Sequence, residues 1–141
     1  MRVPDLQTAA ERVSELVAGK PEILAAYIFG SVATGRARAN SDIDIAVLLD
    51  AEFMKRRPSK YRTDLIAEAG SALGTFDADV VLLNEVSPAL AHNVITKGKL
   101  IYERSRSARV AFQVKNLNEF LDLEAIHEVR LQSLKKRYLS K

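Results

Sequence analysis

Apolar residues recur along this chain at spacings of three and four in some stretches and as short unbroken runs in others, and the alternation predicts its elements. Between Asp5 and Gly19, Leu6, Ala9, Ala10, Val13, Leu16 and Val17 share one face of an amphipathic helix. Asp5 is its expected N-cap, and Gly19 followed by Pro21 its stop. The apolar run at 24–29 predicts a buried strand, and the run at 43–49 a second. Between them, residues 30–35 predict a turn, with a short helix beginning at Ser31. Helical spacing returns between Glu52 and Gly74 and is broken near Pro58. Its main part spans 59–73, with Leu65, Ile66, Ala69, Ala72 and Leu73 along one side. Residues 78–83 predict a third strand in the same sheet. Pro88 then opens a helix over 89–97, Gly98 closes it, and 99–103 predicts an edge strand. From Ser107 to Tyr138 there is neither proline nor glycine, which predicts a long C-terminal helical segment, about 107–139, with a break near Asp122. Its apolar residues Val110, Val114, Leu117, Leu121, Ile126, Val129 and Leu134 can pack on the chain's own sheet or present a stripe to another protein, and the first is expected, because so long an uncovered stripe is a liability.

Composition narrows what such a chain can do. At 141 residues and 48% hydrophobic content, the expectation is one domain over 1–141 with one core. No apolar run reaches the roughly 18 residues a bilayer needs, and Met1-Arg2-Val3-Pro4-Asp5 lacks a signal-peptide core, so a cytoplasmic protein without membrane contact is expected. The absence of cysteine excludes disulfides, thiolate ligands and a cysteine nucleophile. His92 and His127 are too few for a zinc site, and each reads as structural or solvent-facing. The net charge of +3 is gathered into clusters such as 55–57, 104–109 and 135–137, which read as solvated faces. No direct nucleic-acid binding is expected from that balance.

The segment from Gly30 to Asp44 carries the chemistry. Glycine lets backbone approach a phosphate closely, the N–H groups that follow favour anions, and Ser31 adds a hydroxyl donor. Ser41 can hydrogen-bond either a nucleotide or its own loop. Alternate strand residues share a face, so Asp42 and Asp44 point together, about 6.6 Å apart along the backbone. Oxygen-only ligands favour Mg²⁺ or Mn²⁺. Two such ions, about 3.5–4 Å apart, stabilise the attacking and leaving oxygens of an in-line phosphoryl displacement. A third carboxylate is then needed, and Asp79 is the preferred candidate, with Asp77 as the alternative if the strand begins early. Arg36, Arg38 and Lys60 are the cations weighed for the triphosphate, each equally readable as surface. The tyrosines read as core packing ahead of base stacking.

Gly30-Ser31, ten intervening residues and Asp42-Ile43-Asp44 resemble the signature of the DNA polymerase β-like nucleotidyltransferase superfamily. The short length and the tail Asp79-Val80-Val81-Leu82-Leu83-Asn84, Pro88, Leu90, Ile95, Gly98-Lys99 and Ile101-Tyr102-Glu103 resemble its minimal members, the MNT or MntA-type antitoxins. The resemblance implies an α/β (α+β) nucleotidyltransferase fold with a small mixed sheet of three to five strands flanked by helices. It implies transfer of AMP from ATP to a tyrosine hydroxyl of a HEPN ribonuclease toxin. In that scheme Asp42, Asp44 and Asp79 hold two Mg²⁺ ions, Asp79 also serves as base, and Gly30 and Ser31 hold the β- and γ-phosphates. The competing expectations are a small-molecule nucleotidyltransferase of the aminoglycoside type and an antitoxin that neutralises by binding alone.

Overall fold

The structure, a computed structural model, describes residues 5–33 and 42–139. Asp5 accepts from the Thr8 N–H at 2.8 Å and starts helix α1, Leu6–Ala18, which buries Ala9, Val13 and Val17 at four-residue intervals. After the stop at Gly19 the chain enters strand β1, Ile23–Phe29. Strand β2, Ile43–Leu49, returns antiparallel to it. Both are nearly continuous apolar runs, as central strands covered on two faces must be.

Asp50 caps helix α2, Ala51–Arg56, and Pro58 separates it from helix α3, Tyr61–Leu73. Gly74 ends α3 in the left-handed conformation that glycine adopts without strain. Strand β3, Ala78–Leu82, follows and lies parallel to β2, which makes α2 and α3 a crossover connection. Ser87 caps helix α4, Pro88–Lys97, by accepting the Leu90 N–H, with Pro88 in the first turn where its missing N–H costs nothing. Strand β4, Lys99–Glu103, pairs antiparallel with the outer side of β1. Among the described residues the sheet order is β3-β2-β1-β4, four strands and mixed, within the three to five that the resemblance implies. Of the helix expected from Ser31, residues 31–33 form a turn and the rest lies outside the described residues.

Alternation along the strands sorts the core into two layers. Ile28, Ile43, Ile45, Val47, Val80 and Leu82 pack with α1 and α3 on one face. Ala25, Tyr27, Ala46 and Leu48 pack with α4 and the start of the last helix on the other. Asn84 finishes the top of β2 by imitating a strand: its side chain accepts from the Leu49 N–H at 2.8 Å and donates to the Leu49 carbonyl at 2.9 Å.

Two expectations about the C-terminal segment are corrected. Helix α5, Arg106–Leu139, runs through Asp122 without a break, since that aspartate lies exposed and competes with no backbone bond. Nor does α5 lie on the sheet for its length. Its first part docks through Phe112, through Gln113 donating to the Tyr27 hydroxyl, and through the buried Asn116 donating to the Pro88 carbonyl. Phe120 stacks on His92 of α4, with ring centroids 3.9 Å apart. Every residue from 121 to 139 is exposed: beyond Phe120 the helix buries no residue against the sheet or α4.

Candidate active site

Three chain segments converge where β1 ends and β2 and β3 begin. Phe29, the last residue of β1, faces Asp44, and Asp44 in turn lies in register beside Asp79 of β3. Asp42 sits on the exposed approach to β2. Counting by twos from Ala46 and Leu48, Asp44 belongs to the α4 face of the sheet. There it is half-buried, at the edge of the apolar layer.

The turn after β1 is built around Asp44. Gly30 has φ 77°, and a Cβ on it would collide with Asp44 Oδ2, so only glycine gives both the turn and the close approach. Val32 and Ala33 are buried in the α1 and α3 layer and anchor the turn from behind. Ser31 lies between them and Gly30, partly exposed. Ser41, Gly35, Arg36 and Arg38 lie outside the described residues.

The electrostatics of the site favour positive charge. Burial raises the pKa of the Asp44 carboxyl above its ordinary value, and the neighbouring charges of Asp42 and Asp79 raise it further. Three carboxylates that repel one another suit dications, which also need no nitrogen or sulfur ligand. Among the described residues no group of three acidic or histidine side chains already closes around one ion. Mg²⁺ does not require that, since it binds through one or two carboxylates and completes its shell with water and substrate phosphate.

Of the two candidates for a third carboxylate, Asp79 stands opposite Asp44. Asp77 precedes the strand, exposed, with its carbonyl accepting the Ile43 N–H at 2.8 Å. Lys60 is exposed before α3, and the next residue, Tyr61, donates to Glu22 at the opposite end of β1. Burial and that hydrogen bond push the Tyr61 hydroxyl pKa well above its ordinary value, which makes it a structural group. The residue that sequence reasoning missed is Arg62. From α3 it reaches Asp79 Oδ1 at 3.0 Å and the Val80 carbonyl at 2.7 Å. No motif marks it, because the contact depends on Arg62 reaching from α3, on one face of the sheet, to residues of the edge strand β3.

The family described as Polymerase beta, Nucleotidyltransferase matches residues 11–107, which takes in all four strands and every residue of the site. Protein adenylyltransferase MntA of Shewanella oneidensis is 34% identical over 105 residues, covering 74% of this chain and 71% of that one. Among solved structures, a toxin–antitoxin with AMP-PNP contains a chain similar at TM-score 0.73 and 29% identity, covering 89% of this chain and 97% of that one. A complex of tri-AMPylated Shewanella oneidensis HEPN toxin with MNT antitoxin contains another, at TM-score 0.68 and 27% identity, covering 91% and 97%. The chain belongs to the Polymerase beta nucleotidyltransferase family, among the MntA-type protein adenylyltransferases.

Proposed function

We propose that the chain works as one minimal unit, an antitoxin enzyme that moves AMP from ATP to a tyrosine hydroxyl of a cognate HEPN ribonuclease toxin and so silences it in the cytoplasm, where ATP is held. The observation that carries this reading is the register of Asp44 beside Asp79, with Gly30 packed against Asp44, on a fold of this family. The solved relatives support the acceptor, since one is a complex with a tri-AMPylated HEPN toxin and another holds AMP-PNP. The apolar residues that α5 leaves exposed support work inside a protein complex.

In this reading Asp42, Asp44 and Asp79 hold two Mg²⁺ ions, or Mn²⁺ in their place. Bound there, the ions supply positive charge to the attacking and leaving oxygens of the displacement. Gly30 and Ser31 hold the β- and γ-phosphates through backbone N–H groups and a hydroxyl, and Ser41 contributes to the nucleotide or to its own loop. Asp79 accepts the proton of the acceptor hydroxyl as that oxygen bonds the α-phosphorus. The bond from the α-phosphorus to the bridging oxygen breaks, and its electron pair leaves with pyrophosphate. The half-buried setting strengthens these interactions relative to water.

The test is incubation of the protein with ATP labelled at the α-phosphate, Mg²⁺ and the HEPN toxin. Label is expected on the toxin together with loss of its nuclease activity. Asp42→Asn with Asp44→Asn removes ligands worth several kcal/mol of transition-state stabilisation, so transfer should fall by about 10³-fold or more. Neutralisation that persists undiminished in this double variant, with no label moved, would instead make the protein an antitoxin by binding. Label appearing on a small-molecule acceptor and never on the toxin would favour the aminoglycoside-type chemistry.

A further inference from the structure

The third carboxylate is held from outside the sheet. Asp79 lies on β3, an edge strand, and its Oδ1 accepts the Val80 N–H at 2.9 Å and the Arg62 guanidinium at 3.0 Å. Arg62 comes from the first turn of α3, which packs beside β3, and it does not lean on Asp79 alone. Its Nε donates to the outward-facing Val80 carbonyl at 2.7 Å, so the guanidinium plane is fixed at two points to adjacent residues of one strand. A planar fork with several donors can do this, and an ammonium group cannot. With Oδ1 saturated by two donors, the rotation of the Asp79 carboxylate is set and its second oxygen, Oδ2, stays available. Arg62 and Asp79 are both about half-exposed, so the pair does little for stability. Orientation is the use that the geometry suits.

We infer that Arg62 is a positioning residue for nucleotidyl transfer: it clamps Asp79 to the edge of β3 so that Oδ2 is presented to the acceptor hydroxyl. The inference rests on the reading of Asp79 as the base. It assigns a function to an arginine that no motif marks, and it explains why the clamp grips the strand backbone as well as the carboxylate. A simple ion pair would let Asp79 swing with the arginine; the bond to the Val80 carbonyl ties both to the sheet.

The experiment measures AMP transfer to the toxin for Arg62→Gln, Arg62→Lys and Asp79→Asn, each with a thermal melt, and adds the Arg62→Gln, Asp79→Asn double variant. Loss of a residue that orients a functional carboxylate is expected to lower kcat by about 10–100-fold. KM for ATP should stay within about twofold, because phosphate binding lies with other residues. Arg62→Lys, which keeps the charge and loses the planar fork, should recover part of that loss. In kcat the double variant should be non-additive: once Asp79→Asn has removed the carboxylate, Arg62→Gln should cost nothing further. A folded Arg62→Gln with wild-type kcat, or one whose KM rises at constant kcat, overturns the inference and leaves Arg62 as an edge cap. Should Arg62→Gln fail to fold, Arg62→Lys decides alone: a severalfold lower kcat at constant KM supports the clamp, and wild-type kcat overturns it. Asp79→Asn retaining full transfer overturns the reading of Asp79 and this inference with it. An inactive Asp79→Asn beside an active Arg62→Gln overturns only the clamp.

Discussion

Gly30 is the residue where backbone conformation and chemistry are least separable. Its φ of 77° would strain any L side chain, and its missing Cβ is the space that Asp44 Oδ2 occupies. Gly30→Ala therefore combines backbone strain of about 1–3 kcal/mol with displacement of the Asp44 carboxylate. The expected result is a lower melting temperature together with a loss of AMP transfer larger than the stability change explains, measured on folded protein well below the melt. Transfer at the wild-type rate would show that the carboxylate can shift without consequence. The glycine was legible in the sequence because Gly-Ser precedes a helix-sized gap and a paired aspartate. What it makes room for was not, since Asp44 lies fourteen positions away and meets it only across the β1–β2 pairing.

Among the elements, α5 departs furthest from expectation. Its docked part carries Phe112, Gln113, Asn116 and Phe120, while residues 121–139 bury nothing in the structure. Removing residues 122–141 should therefore change the unfolding free energy by no more than about 0.5 kcal/mol, as surface changes do. Removing residues 111–141 instead strips α4 and Tyr27 of their cover and should cost several kcal/mol. Urea unfolding of the two truncated proteins checks this, and equal midpoints would mean that α5 contributes nothing to the fold at all. The helix itself was readable from the absence of proline and glycine over 107–138. Its free half was not, because apolar spacing signals a face to be covered and says nothing about whether the cover comes from the same chain.

For the molecule as a whole, the acidic cluster sets stability against function. Burial and the charges of Asp42 and Asp79 raise the Asp44 pKa in the folded state, so over that range the folded chain holds more protons than the unfolded one. Stability then falls as pH rises from the ordinary carboxylate value through the raised one, and stays lower above it. Metal-free Asp44→Asn should melt higher than wild type at pH 7, with the difference shrinking toward pH 4. Mg²⁺ with ATP should stabilise wild type and not this variant, by about 2.7 kcal/mol at a hundredfold excess over the dissociation constant. A wild type that melts higher than Asp44→Asn without metal would overturn the repulsion argument. The chain's own order of residues determined the strands, the caps and the Gly-Ser and Asp-x-Asp signature, because periodicity, capping and turn chemistry act within a few positions. Only the tertiary structure decided that Asp79 stands beside Asp44, that Arg62 grips Asp79 at the edge of the sheet and that half of α5 stands free. Those are matters of register, edge and where a helix leaves the core, and they arise when distant segments pack.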